Sequence, residues 1–206
     1  MIKDYVQPDF YKFNADSIML AKYVFEKTKN SSFSVIGDYF SGCGVIGIEL
    51  IRLGIKAREV VFVEKNSKFI PYLNKNISNF LDHNFEDISV SIRNEDIFKL
   101  KSRPLDLIVA NPPYFYTDKS KVAHDKDRAA ARFFMEYRFS CLAKLVASNL
   151  SLTGEAYVLY RPDQLEKEKS EIEEFFVANN FKFEFIDDFY KNVGVLIVFG
   201  CNKNFD

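Results

Sequence analysis

From residue 33 to residue 179 the chain alternates short β-branched or aromatic runs with helical stretches. The runs are 33–40 (FSVIGDYF), 59–64 (EVVFVE), 88–93 (ISVSIR), 105–110 (LDLIVA) and 154–160 (GEAYVLY). Between them lie helical patterns at 44–54, ending at Gly54 as C-cap, at 67–82, with Pro71 in the first turn, and at 129–149, long and amphipathic. A very acidic helix follows at 163–179. A helix over about 15–29, opened by Asn14 or Asp16, precedes the first run, residues 1–14 form an arm, and 114–128 read as a polar loop. Strand–helix alternation implies a parallel sheet with helices on both faces. The run 59–64 is continuously apolar, as a strand buried on both faces must be. The last two runs, 181–189 and 193–199, are only about three residues apart, too close for a parallel crossover, so they form an antiparallel hairpin.

The length, 206 residues, suits one domain, here spanning 1–206, and 48% hydrophobic residues suffice for a core without staples. Three cysteines, two histidines and no Cys-x-x-Cys predict neither a metal site nor a disulfide framework, and suit a reducing cytoplasm. No apolar run approaches the roughly 20 residues of a membrane span, and the start Met-Ile-Lys-Asp-Tyr is not a signal peptide. Cys141 and Cys201 read as small buried apolar residues. A net charge of -1 excludes a protein that holds nucleic acid by bulk charge. The charge is unevenly spread: 163–188 carry nine acids and three lysines, a solvated face. Residues 117–144 carry seven bases against four acids and contain Lys119, Lys121, Arg128 and Arg132, a candidate backbone-tracking patch. About fourteen residues at each end are left free of the core.

Ligands of open parallel sheets bind beyond the carboxyl ends of the strands. The first strand runs into Asp38-Tyr39-Phe40-Ser41-Gly42-Cys43-Gly44-Val45-Ile46-Gly47, which satisfies G-x-G-x-x-G, and Glu64 closes the second strand twenty-two residues after Gly42. Glycines allow close backbone approach and positive φ, while an acid at the second strand's end can accept both hydroxyl protons of a ribose. This predicts a nucleoside ligand, either NAD or S-adenosylmethionine. Asp38 would repel a pyrophosphate but suits a ligand carrying an ammonium and a sulfonium. Asp96, after the third strand, is placed to accept from an adenine amine, with Ile97 or Phe98 packing on the ring.

The fourth strand ends in Asn111-Pro112-Pro113-Tyr114. Two prolines stiffen the backbone and remove two N–H donors. An Asn amide oxygen and a neighbouring carbonyl can then accept from one NH₂ group, and Tyr114 offers a face for a base to stack on, worth about 1–3 kcal/mol. This pattern holds a planar amide or an aromatic amine.

Together these residues resemble the class I S-adenosylmethionine-dependent methyltransferases, a Rossmann-like α/β fold of seven strands with an antiparallel last strand. Within that superfamily the chain is similar to the bacterial valine-tRNA adenine-N6 methyltransferases. Phe13-Asn14-Ala15-Asp16-Ser17-Ile18-Met19-Leu20-Ala21 resembles their N-terminal cofactor-covering segment, and Val158-Leu159-Tyr160-Arg161-Pro162-Asp163-Gln164-Leu165 their strand-five exit. The resemblance implies that 1–30 cover the cofactor and 31–206 form the core. It implies cofactor contacts from Phe13, Asp16, Asp38, Phe40, Ser41, Gly42, Gly44, Glu64, Lys65, Asp96, Ile97 and Asn111. It makes Asn111, Pro112, Pro113 and Tyr114 the methyl-acceptor site, and tRNA the partner. A base paired in RNA would first have to be flipped outward.

Three other readings compete. Methylation of ribosomal RNA, or of a glutamine side chain in a translation factor, keeps the chemistry and changes the substrate; the glutamine enzymes carry a helical domain for which no room exists before residue 33. An NAD-binding oxidoreductase is opposed by Asp38 and by the closing hairpin. A non-catalytic cofactor-binding module is opposed by intact Asn111 and Tyr114.

Overall fold

The computed structural model describes residues 4–80, 87–100, 104–112, 139–160, 162–189 and 194–200. Seven strands form one sheet in the order β3-β2-β1-β4-β5-β7-β6. They are β1 (Ser32–Tyr39), β2 (Lys56–Val63), β3 (Ser89–Arg93), β4 (Leu105–Ala110), β5 (Leu150–Tyr160), β6 (Lys182–Phe189) and β7 (Gly194–Gly200). β1 pairs in parallel with β2 and β4, β2 with β3, and β4 with β5. β7 is antiparallel to both β5 and β6, so it alone runs against the others. The expected architecture and closing hairpin are both present.

Among the described residues five α-helices accompany the sheet: α1 (Ala15–Thr28), α2 (Val45–Leu53), α3 (Ile70–Phe80), α4 (Phe139–Asn149) and α5 (Pro162–Ala178). Period-two alternation along the central strands feeds two apolar layers. Leu107 and Val109 of β4 face a layer with Leu20 and Val24 of α1, Ile48 and Leu50 of α2, and Leu73 of α3. Ile108 and Ala110, the intervening residues, face a second layer with Leu142 and Val146 of α4 and Ile172 and Phe176 of α5. Burial of each such large side chain contributes about 1.5–3 kcal/mol.

The differences from the sequence reading have local causes. β2 begins at Lys56 rather than 59, because Ser32 and Phe33 of β1 pair with Lys56 and Ala57 although their side chains lack the apolar run's signal. β5 begins at Leu150, where it pairs with Leu105 before a register shift. The stretch after Glu64 opens with a 3₁₀ turn at Ser67–Phe69, capped by Asn66, whose side chain accepts from the Lys68 N–H at 3.1 Å. Asn14 occupies the N-cap position of α1 but makes no capping bond there. Cys141 is exposed, correcting its expected burial: α4 buries Ser140, Leu142, Ala143, Val146 and Ala147, and Cys141 falls off that stripe. Cys201, the loop 114–128 and the first part of the predicted 129–149 helix lie outside the described residues.

The N-terminal arm is not free of the core, another correction. Tyr5 is buried and its hydroxyl donates to Glu49 Oε1 at 2.7 Å. Asn76, fully buried in α3, accepts from the Val6 N–H at 2.8 Å and donates to the Val6 and Cys43 carbonyls at 3.0 and 2.9 Å. The rings of Phe10 and Tyr11 stand edge-on to Phe69. One side chain thus ties the arm to the glycine turn.

Candidate active site

The strand order reverses direction between β1 and β4, the position where open parallel sheets leave a crevice at their carboxyl ends. Asp38 pairs in register with Val109 and Tyr39 with Ala110, so Asn111 leaves β4 beside the end of β1. The site grows from these two ends and from the neighbouring end of β2.

Each glycine of the turn is required for a different reason. Gly42 has φ +51°, and a Cβ there would meet little but open space. Gly44 combines φ +82° with a Cβ position occupied by Leu73. Gly47 opens α2 against β2, where a Cβ would stand 2.5 Å from the Phe62 ring. Only Gly42 borders the open side of the turn; the other two seat α2 against β1 and β2. Phe40 itself has φ +58°, a conformation costly for a bulky residue, held between β1 and the turn.

Asp38 is fully buried. Its Oδ2 accepts from the Gly47 N–H at 2.9 Å, whereas its buried Oδ1 has no hydrogen-bond partner among the described residues. Desolvation pushes the carboxyl up to about 7, against the lowering effect of the Gly47 bond, and the Glu64 charge adds to the rise. Ser41 Oγ is likewise buried and unpartnered.

Glu64 has both oxygens engaged: Oε2 accepts from the Gly42 N–H at 2.9 Å and Oε1 from the Asn66 N–H at 2.7 Å. Its carboxyl is also raised, by desolvation, although these backbone donors oppose the shift. Asn94 steadies the same corner by donating to the Glu64 and Lys65 carbonyls at 2.7 and 3.2 Å. Lys65 Nζ pairs with Asp96 Oδ2 at 2.8 Å, and Asp96 Oδ1 accepts from the Phe98 N–H at 3.1 Å. Ile97 is buried in the second apolar layer, while Phe98 is half-buried.

On the other side Asn111 Nδ2 donates to Ser17 Oγ at 2.9 Å, and Asn111 Oδ1 is buried with no partner among the described residues. Asp16 is buried next to it, with Oδ1 accepting from the Ser17 N–H at 2.7 Å. Phe13 packs edge-on to Tyr5. Pro112 is buried. Pro113, Tyr114, Lys119, Lys121, Arg128 and Arg132 lie outside the described residues.

Four residues near the site carry no obvious signal in the sequence. Asn76 and Asn94 act across 70 and 30 positions of chain, which no local pattern reveals. Ser17 sits next to a predicted site residue, so its hydroxyl could have been suspected. Tyr11 belongs to the aromatic arm. Tyr11 is exposed, yet its phenol is pushed up to about 12 by desolvation and by the charges of Asp16, Cys43 and Glu64. Cys43, unexplained by its sequence position, is a small buried group whose thiol is raised to about 12 by burial, hence inert.

Residues 20–127, just over half of the chain, match the family described as Conserved hypothetical protein 95. The chain belongs to this family. It is also 31% identical over 105 residues to a release factor glutamine methyltransferase of Clostridium botulinum. That stretch is 50% of this chain but only 36% of the relative, so the chain spans about a third of that relative's length. Among solved structures it is similar to the ribosomal protein L11 methylase of Lactobacillus delbrueckii subsp. bulgaricus, with TM-score 0.62 and 16% identity, covering 91% of this chain and 79% of that one. A Pyrococcus horikoshii protein assigned to the RNA methyltransferases gives TM-score 0.61 at 18% identity, covering 97% and 93%. A glycopeptide N-methyltransferase complexed with S-adenosyl-L-methionine gives 0.59 at 12%, covering 92% and 96%. The fold is therefore that of the Rossmann-like methyltransferases. Among the described residues no cluster could hold a metal ion, and no helix is long and apolar enough to cross a membrane.

Proposed function

We propose that the chain is an S-adenosylmethionine-dependent N-methyltransferase whose acceptor is a planar NH₂ group. The observation that carries this is the pair of buried, unpartnered acceptors, Asp38 Oδ1 and Asn111 Oδ1, on the adjoining ends of β1 and β4. An orphaned buried acceptor costs about 1–3 kcal/mol, so two at one crevice point to donors that arrive with ligands. Asp38 would hold the ammonium of the cofactor, with Ser41 Oγ and the open side of Gly42 beside it. Glu64 would accept from the ribose hydroxyls: each oxygen already takes one backbone N–H and retains a lone pair. Asp96, Lys65 and Ile97 would border the adenine. The arm and α1, within residues 1–30, would cover the site, with Phe13 and Asp16 on its inner side.

When bound, S-adenosylmethionine supplies an electrophilic methyl group on a sulfonium. This chain's own contribution is orientation and electrostatics. Asn111 Oδ1 and the Pro112 carbonyl would accept both hydrogens of the acceptor amine. That removes the nitrogen lone pair from conjugation and aims it at the crevice. No strong base is required, since the proton can leave once positive charge has developed on nitrogen.

Adenine N6 in tRNA is the acceptor we favour. Tyr114 would stack on the flipped base, and Lys119, Lys121, Arg128 and Arg132 belong to the basic stretch that directly follows it. A second reading, a glutamine side chain in a translation factor, is favoured by the 31% identity to the release factor enzyme, since an Asn amide holds a carboxamide as well as an aromatic amine. Purified protein would be given isotope-labelled S-adenosylmethionine with unmodified tRNA, ribosomal RNA, or release factors, and the products digested for mass spectrometry. Label in N6-methyladenosine from tRNA is expected. Label in methylglutamine or ribosomal RNA would replace the substrate, and no label anywhere would remove the activity.

A further inference from the structure

We propose that Ser17 is a positioning residue that sets which end of the Asn111 amide faces the acceptor. The inference rests on the N-methyltransferase reading for its consequence, though not for its geometry. The oxygen and nitrogen of an Asn amide have nearly the same size, so packing alone cannot choose between two orientations half a turn apart. Hydrogen-bond polarity has to choose. Here the choice is made by a chain of three groups. Asp16 Oδ1 accepts from the Ser17 N–H at 2.7 Å and lies 3.5 Å from Ser17 Oγ, as the acceptor of its hydroxyl. With its hydrogen turned to Asp16, Ser17 Oγ presents a lone pair to Asn111, and Nδ2 donates to it at 2.9 Å. Asn111 Oδ1 is thereby turned to the other side, buried and without a partner.

The polarity originates in a carboxylate. Asp16 is an acceptor only, so the hydroxyl points toward it, and the amide must offer its donor end. In the reversed orientation Oδ1 would face an oxygen lone pair, and the NH₂ end would face an incoming amine that is itself a donor. Two donors opposed in a desolvated site repel, and the amine would not be aimed. Ser17 and Asp16 lie in the first turn of α1, ninety-four positions before Asn111 for the Ser17 bond, so the helix that covers the crevice also orients its acceptor group. Ser17 touches no reacting atom in this scheme; it acts through Asn111.

The test compares Ser17→Ala, Ser17→Thr, Asn111→Asp and the double variant Ser17→Ala/Asn111→Asp. Alanine is smaller than serine and can be held in α1 without a new contact; thermal melts of each variant check this. In Ser17→Ala, kcat is expected to fall about tenfold to a hundredfold, the loss typical when a reacting group is misplaced, with S-adenosylmethionine affinity within about twofold. Ser17→Thr keeps the hydroxyl and is expected to restore most of kcat. Asp at position 111 has two equivalent oxygens, so its orientation cannot be reversed. On that background the further change Ser17→Ala is expected to alter kcat by less than about threefold, which a general loosening of α1 would not produce. Equal losses from Ser17→Ala on both backgrounds, or kcat unchanged in Ser17→Ala, would overturn the inference.

A readout without activity separates this inference from the reading it rests on. In protein labelled with ¹⁵N-asparagine, the Asn111 side-chain NH₂ pair is identified by its loss in Asn111→Asp. It is expected to shift and to exchange faster with solvent in Ser17→Ala. If the wild-type protein transfers no methyl group to any acceptor, the proposed function fails while this measurement still decides the orientation: a pair unmoved by Ser17→Ala overturns it, and a displaced pair supports it.

Discussion

The two sides of the crevice treat buried oxygen atoms differently. At the β1–β2 corner, Glu64 spends both oxygens on backbone N–H groups of Gly42 and Asn66, and Asn94 ties the carbonyls that follow. At the β1–β4 corner, Asp38 has one bond to Gly47 and one oxygen without a partner, and Asn111 Oδ1 likewise has none, among the described residues. At the first corner the Glu64 carboxylate is satisfied without a ligand. At the second, Asp38 and Asn111 each keep one oxygen without a partner among the described residues. Structural satisfaction is thus concentrated where a ligand would be held, and electrostatic incompleteness where one would be aligned. A mutation at the second corner should therefore damage chemistry with little loss of fold, while one at the first should damage both.

Asn111→Ala tests the open corner most severely. Turnover is expected to fall by at least about 10²-fold, the scale of losing one preorganised hydrogen-bonding group, with cofactor affinity within a few-fold. Loss of cofactor binding in this variant, measured by calorimetry, would move Asn111 out of the acceptor role. Glu64→Ala tests the closed corner. The Gly42 and Asn66 N–H groups would lose their acceptor, so stability should drop by about 1–3 kcal/mol and cofactor affinity about tenfold or more. Unchanged affinity, with the drop in stability alone, would leave Glu64 a purely structural group.

The pH dependence separates the corners further. The Asp38 carboxyl is held at about 7, above its usual 3.8, so the unliganded fold binds a proton that the unfolded chain releases earlier. The stability this contributes is fully present below about pH 4 and is lost as pH rises through about 7. A cationic ligand favours the ionised form, so its affinity should instead rise over that interval, with a proton released on binding. Calorimetry in buffers of different ionisation enthalpy measures the release, and Asp38→Asn should abolish it. A proton count of zero in the wild type would mean that no cation meets Asp38. The smallest effect is expected at Gly42→Ala. No atom opposes the new methyl group, so only the left-handed backbone resists, at about 1–2 kcal/mol. A much larger loss of stability would reveal a contact on the open side of the turn.

The strand–helix rhythm was legible because each run is short and punctuated by turn residues. The reversed β7 was legible from three residues of connection. Asp38, Gly42, Glu64 and Asn111 stood out because each terminates a strand or opens the turn after one, where chain order and spatial order coincide. Ser17 and Asn76 did not stand out, since their partners lie 94 and 70 positions away. The exposure of Cys141 was misread because cysteine was taken as a small apolar residue that is usually buried, whereas residue type does not say which side of the inward stripe of α4 it falls on.

By itself the sequence determined the layering of the fold, the end of the sheet at which the glycine turn and the polar strand-end residues gather, and the residue types available there. These follow from periodicity and from the few residues that can terminate a parallel strand. Only the tertiary structure decided which of those polar atoms are already bonded. It turned Glu64 into a satisfied brace and left Asp38 and Asn111 each with a bare oxygen. It also brought the first turn of α1 against the end of β4. The physical reason is that hydrogen-bond satisfaction in a buried site depends on partners contributed by distant segments, and a linear pattern carries composition and period but not pairing.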